Sequence, residues 1–302
     1  MPRRYVTVDV FTERVFGGNP LAVVLDAEGL AKPQMQAIAN EFNYSETTFI
    51  FPPRAPGLSA RVRLFTPRIE IPFAGHPNVG TAVALALDLA AKGQAVPENF
   101  VFEEAAGLVP VRLLKSGHSV IGAEITAPEA LSVGSSIAVQ DAADCVSRPV
   151  TDVVTSVHPP QVVSVGLPFL ALELNSREAL RQARPNWGAH ERVLPPIGTD
   201  GVFAYSRDAR DGQLHARVFA PLDATIEDPA TGSAAAATIS LLAQLRPAQA
   251  EVCEWRIEQG VDMGRPSLIL GRTDKRFGRV TAVHIAGTAV PVMRGELIAE
   301  PT

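Results

Sequence analysis

"IPFAGHPNVGTAVALALDLAA", residues 71–91, sets a Gly-His-Pro turn ahead of a run whose only charge is Asp88. A helix over 79–91 is then apolar on nearly every side, which calls for enclosure rather than a place on the surface. Its ~13 residues fall well short of the ~20 needed to cross a bilayer. A second stretch, "TIEDPATGSAAAATISLLAQL" at residues 225–245, has the same design, with a helix predicted over 234–245. Small alanines let strands approach such a helix closely, so a strongly curved sheet wrapped around it is the simplest solution, used twice.

The two stretches are copies within a longer duplication. Phe49 and Phe203, Arg63 and Arg217, Phe65 and Phe219, and Pro67 and Pro221 are each 154 positions apart; "HPNVGTA" then meets "DPATGSA" at 152. Earlier, "GGNPLAVVL" resembles "GLPFLALEL", with Pro20 and Pro168 separated by 148. Each half reads strand, strand, helix, strand, strand, motif, buried helix and further strands. In the first half Val6, Val8 and Val10 alternate, Ala22 to Leu25 is a continuous apolar run, and Met35, Ile38, Ala39 and Phe42 recur at helical spacing. The prediction is an α+β chain of two pseudo-symmetric domains, residues 1–125 completed by 289–302, and residues 126–288.

Each motif places a loop at a helix N-terminus, where unpaired backbone N–H groups and the helix dipole favour an anion. Pro77 and Pro229 suit a first helical turn. Gly75, Gly80 and Gly232 would let backbone come close to a ligand. Asp228, Thr231 and Ser233 read singly are helix caps. The repeat shifts that weighting, because the first copy carries His76, a poor cap but a group able to exchange protons near neutral pH. Glu46, in "NYSETTFIF" at the entrance of a strand, is either a third member of the site or a solvated strand-end carboxylate; its counterpart is Asp200. His118, His158, His190, His215 and His284 have no comparable setting and are expected on the surface or in strands.

The bulk composition narrows the function. A net charge of -5, with no basic run longer than a pair such as Arg3 and Arg4, argues against nucleic acid as a partner. The opening MPRRYVTVDVF shows no secretory signal, so a cytoplasmic location without a membrane span is expected. Cys145 and Cys253 lack CxxC spacing, arguing against disulfides and structural zinc. GxSxG, Walker, GxGxxG and HExxH patterns are absent, and no metal or cofactor is expected.

"GGNPLAVVL", "NYSETTFI", "FTPRIEIPFAGHPNVGTA" and "DPATGSAAAA", in this order across nearly the whole chain, resemble the phenazine-biosynthesis PhzF-like isomerases. The resemblance implies a diaminopimelate-epimerase-like fold, two domains each a β-barrel around a central helix with the active site between them, and a homodimer. It implies a proton shift on a small cyclic or unsaturated carboxylic acid, as in trans-2,3-dihydro-3-hydroxyanthranilate isomerisation. It makes Glu46 the base and gives His76, Asp228 and Ser233 roles in holding or polarising substrate, with Gly75, Gly232 and Asn19 beside the ligand. Relatives that racemise use a cysteine at each helix mouth, and this chain has neither. Two alternatives stay open: a non-catalytic binding member of the same fold, and an epimerase using carboxylate and imidazole.

Overall fold

The computed structural model describes residues 3–208, 212–223 and 225–298. The chain divides into two compact units: residues up to 126 together with those from 286 onward, and residues 127–285.

The first unit contains β1 (Arg3–Val10), β2 (Asn19–Val24), α1 (Lys32–Phe42), β3 (Glu46–Phe51), β4 (Ala60–Phe65), the short β5 (Glu70–Ile71), α2 (Gly75–Ala91), β6 (Asn99–Glu104), β7 (Gly107–Ser116) and β8 (Ser119–Thr126). The last strand of the chain, Arg279–Leu297, contributes its second part here. Pairing runs from β1 to β2, β3, β4, β6, β7 and β8, and both β8 and β1 pair with that last strand, so the sheet closes on itself. Closure leaves no open strand edge around the ring.

Parallel neighbours need a crossover, and the first unit has two. Between β2 and β3 the crossover is α1, whose Met35, Ile38 and Ala39 pack on Val24, Phe49, Phe51 and Phe65. Between β4 and β6 it is α2, which packs against β1, β2, β3, β7 and β8 and fills the ring. β2 and β3 are therefore covered on both faces and buried at nearly every position, the origin of the continuous apolar run. β7 keeps one face in water and alternates, with Val109, Val111 and Leu113 inward and Leu108, Pro110 and Arg112 exposed.

The second unit repeats the scheme: β9 (Ser132–Ser136), α3 (Val139–Cys145), β10 (Gln161–Ser164), β11 (Pro168–Glu173), α4 (Arg177–Gln182), α5 (Trp187–Val193), β12 (Val202–Arg207), β13 (Gln213–Ala220), β14 (Thr225–Asp228), α6 (Gly232–Leu245), β15 (Glu251–Gln259) and β16 (Ser267–Arg276). Its parallel pairs are β11 with β12, crossed by α4 and α5, and β13 with β15, crossed by α6. The outer helices α3, α4 and α5 bury Cys145, Leu180, Ala189 and Val193 against Leu170, Leu172, Val202 and Ala204. The inner helix α6 packs against β10, β11, β12, β15 and β16. One crossover outside and one inside, in each unit, is the structural content of the duplication.

Three expectations are corrected. Both buried helices begin before the apolar run, at Gly75 and Gly232 rather than 79 and 234. Gly80 is a packing residue, since a Cβ there would lie 2.6–2.9 Å from the side chains of Leu21, Val10 and Val8. His158 and His190 are 3% and 0% exposed. Each ring is held inside the core, His158 through both nitrogens on Tyr205 and the Pro159 carbonyl, His190 through Nε2 on the Cys145 carbonyl. A buried imidazole with a partner leaves no periodic trace in the sequence. Among the described residues no helix is long and apolar enough to cross a membrane.

Glycine sets how tightly the first ring closes. A Cβ on Gly122 would stand 2.1 Å from the Gly287 carbonyl oxygen, a backbone atom that cannot rotate away, whereas at Gly80 the obstacles are side-chain methyls. Gly80→Ala is expected to cost about 1–3 kcal/mol through overpacking, and Gly122→Ala more. Urea unfolding of the two variants checks this, and the opposite order would show that the ring is not pinned at the Gly122 crossing.

Candidate active site

β2 and β3 run parallel in a register that sets Leu21 opposite Glu46, so Asn19 and Glu46 stand at the starts of neighbouring strands on one rim of the first ring. The turn into β2 requires glycine at residue 18, where φ is 60° and a Cβ would meet the Val10 carbonyl oxygen at 2.3 Å. β3 is tied to the inner helix by a buried hydrogen bond of 2.8 Å between the hydroxyls of Thr48 and Thr81. That link fixes the height of Glu46 against the first turn of α2, where His76 follows Gly75.

Asn19, His76 and Glu46 meet there. Asn19 is fully buried and its Nδ2 lies 3.4 Å from His76 Nδ1; on the other side of the ring, Nε2 is 3.2 Å from Glu46 Oε2. An amide nitrogen can only donate, so His76 Nδ1 accepts and the single imidazole proton sits on Nε2, towards the carboxylate. Burial drives the His76 pKa down to about 3, so the ring is neutral. The Nε2 contact is close but not aligned as a full hydrogen bond. Glu46, with a side chain 16% exposed and a histidine against it, is not a solvated strand-end carboxylate.

In the second unit the motif behaves differently from its copy. His76 and Pro77 are helical, but Asp228 ends β14, Pro229 precedes the helix, and Thr231 is the N-cap of α6. Pro229 thus falls outside the first helical turn expected for it. The reason is local hydrogen bonding that competes with the helix. Gln259, fully buried at the end of β15, accepts from the Thr231 backbone N–H at 3.1 Å through its Oε1. Its Nε2 donates to the Asp228 carbonyl at 2.8 Å and to Thr231 Oγ1 at 3.0 Å. Thr231 Oγ1 in turn donates to Asp228 Oδ2.

The capping expectation fails for Thr231 accordingly: its hydroxyl orients the aspartate, and no side chain caps α6. The first helical bond runs from Ala235 N to the Thr231 carbonyl, leaving the N–H groups of Gly232, Ser233 and Ala234 ahead of it. Ser233 is half-buried in this first turn, Gly232 is buried and Asp228 is 9% exposed. Asp200, the counterpart of Glu46, is exposed in the loop before β12. Cys145 sits in α3, its thiol pushed up to about 12 by burial, and Cys253 sits in β15; neither belongs to a helix mouth.

Sequence reading missed Gln259, Thr48 and Thr81. The threonines were invisible inside β-branched and apolar runs. Gln259 carried one cue, the following Gly260, whose φ of 72° and close approach to the Pro229 carbonyl pack the end of β15 on the motif.

The family described as phenazine biosynthesis-like protein matches residues 8–295. An uncharacterized isomerase of Mesorhizobium japonicum is 38% identical over 98% of this chain and 98% of its own. The trans-2,3-dihydro-3-hydroxyanthranilate isomerase of Pseudomonas chlororaphis is 34% identical over 97% of this chain and 99% of its own. The crystal structure of a PhzF-family phenazine biosynthesis protein from Bacillus anthracis superposes with a TM-score of 0.86 at 24% identity, covering 99% of this chain and all of that one, and shares the fold. With the closed ring around α2, the second inner helix α6 and matches along almost the full length, the chain belongs to the phenazine-biosynthesis PhzF-like family of isomerases.

Proposed function

We propose that this isomerase moves a proton between carbons of a small cyclic or unsaturated carboxylic acid, of the kind named for its Pseudomonas relatives, trans-2,3-dihydro-3-hydroxyanthranilate, with Glu46 as the proton carrier. The observation that carries the reading is Glu46 held at the rim of the first ring with neutral His76 against it. A carboxylate in this setting takes a proton from carbon, becomes a neutral acid, and returns the proton at another carbon, with no second acid or base required. His76 cannot compete for the proton while burial keeps it neutral and Asn19 occupies Nδ1; its Nε2–H steadies the carboxylate. In the second unit, the free N–H groups at the start of α6 together with Ser233 form a receptor for the substrate carboxylate. Asp228, oriented by Thr231 and framed by Gln259, accepts from a donor group of the substrate. The same reading includes a cytoplasmic homodimer; sedimentation equilibrium would show the dimer mass, and a concentration-independent monomer would remove that part.

Glu46→Gln keeps the shape and loses the base. It is expected to lower solvent-deuterium incorporation by roughly 10² to 10⁴-fold while ligand affinity is largely kept. Ser233→Ala and Asp228→Asn are expected to raise KM as well as lower kcat, since these groups hold ligand in ground and transition states alike. Label entering at the wild-type rate in Glu46→Gln would pass the base role to His76, and inversion at a labelled centre would turn the reading towards epimerisation.

The histidine gives a separate check. With a folded pKa of about 3 against an ordinary 6.5, His76 binds no proton in the native state where the unfolded chain does. Its contribution to stability is therefore whole above about pH 6.5 and declines as pH falls towards about 3. ¹⁵N NMR of the His76 ring should show a neutral Nε2–H tautomer that takes up no second proton between about pH 5 and 8; Nδ1 moving to the chemical shift of a protonated nitrogen in that range would refute the assignment.

A further inference from the structure

Glu104, the last residue of β6, is 8% exposed, and among the described residues no hydrogen bond reaches either of its carboxyl oxygens. A carboxylate buried in that way is one of the costliest groups a fold can hold. Its polar neighbour is Asn78, fully buried in the first turns of α2, two residues after His76. Asn78 Nδ2 donates to the Ala74 carbonyl at 3.0 Å, the N-cap of the same helix, which fixes the orientation of the amide and leaves Asn78 Oδ1 without a donor. The turn after Glu104 is attached to the same entrance, Ala106 N donating to the Pro72 carbonyl at 3.2 Å.

One proton resolves every unmet atom. A neutral carboxylic acid and a primary amide can pair face to face, acid O–H to amide carbonyl and amide N–H to acid carbonyl, while the second Nδ2 hydrogen stays on Ala74. We propose that Glu104 is a positioning residue for the isomerase site: as a neutral acid it pairs with Asn78 and so locks the Ala74–Asn78 turn from which Gly75 and His76 are presented. The positioning role for turnover rests on the proton-shift reading above; the pairing itself does not.

The surroundings agree. Burial pushes the Glu104 pKa up from 4.5 to about 8, and among the described residues the nearby Asn78 amide draws it back. Charged groups on the adjoining elements are engaged elsewhere. On β4, Arg63 is paired with Glu70 and Arg61 lies over the Phe51 ring; on β6 itself Glu103 is paired with Arg54. On β7 Arg112 is paired with Glu124 and Lys115 is exposed near the far end, while the titratable group of the α2 entrance, His76, is neutral. Among the described residues no cation is seen to act on Glu104.

The test uses the ligand-free chain first. ¹³C NMR of glutamate-labelled protein should show one carboxyl titrating near pH 8 that is missing from Glu104→Gln, and the His76 ring signals should shift with the same midpoint in the wild type only. Gln can form the same two hydrogen bonds to Asn78 without a titratable proton. Because the folded pKa is raised, the native state holds a proton between about pH 4.5 and 8 that the unfolded state has released, so wild-type stability falls with rising pH across that window. The Tm of the wild type should thus drop relative to Glu104→Gln from about pH 5 to 9. A Glu104 carboxyl titrating in the ordinary carboxylate range, or His76 signals blind to it, would overturn the proposal whatever the substrate proves to be. With an acid that the wild type turns over, kcat should fall above about pH 8 in the wild type and not in Glu104→Gln, with KM little changed in both. A wild-type profile unchanged by the Gln substitution would also overturn it, whereas failure of every acid offered would count against the substrate reading and leave the NMR result to decide the pairing.

Discussion

Enclosing a helix on all sides is the constraint from which the other features of each unit follow. An α-helix buried throughout must be narrow, so α2 and α6 are built from Ala, Gly, Thr and Ser with a few branched residues. It must also be apolar, and its N-terminus must open onto a rim because the first N–H groups have no partner within the helix. Where the enclosing strands come close, they demand glycine on one side or the other: Gly80 of α2 against Val8, Val10 and Leu21, and Gly271 of β16 against Ile239 of α6. The proposed site lies where such a helix opens onto the rim.

The outer crossover explains how distant residues reach that rim. α1 joins β2 to β3 as parallel neighbours, and parallel strands begin at the same end. Asn19 and Glu46 therefore arrive side by side, 27 positions apart in sequence, at the starts of β2 and β3. The Thr48–Thr81 hydrogen bond then holds that rim to the helix. Burial which stabilises the ring keeps His76 neutral, so packing and protonation are set by the same contacts.

What the sequence made legible was periodic or repeated. The inner helices were readable from apolar runs without a polar face, the outer helix α1 from the spacing of Met35, Ile38 and Ala39, and the pairing of motifs from constant separations. What stayed hidden were single polar residues whose meaning depends on a partner far away in the chain. Gln259 reads as the end of a strand until it is seen holding the Asp228–Thr231 segment, and His158 as a surface residue until it is found on Tyr205. The repeat itself misled at one point. Equivalent motif positions take different backbone conformations, because two hydrogen bonds donated by Gln259 and one accepted by it keep the second copy out of the helix while Asn78 stitches the first copy into it.

The last strand has a consequence for how the chain is made. β1 pairs with residues 289–297, and the first unit takes in residues from 286 onward, whereas the second unit lies within 127–285. During synthesis on the ribosome, the second unit emerges complete before the first can close. Until then β1 and β8 present unpaired edges and α2 is wrapped on fewer sides, so the earlier-made half is the later-finished one. Vectorial synthesis thus exposes for longest the apolar helix that carries His76.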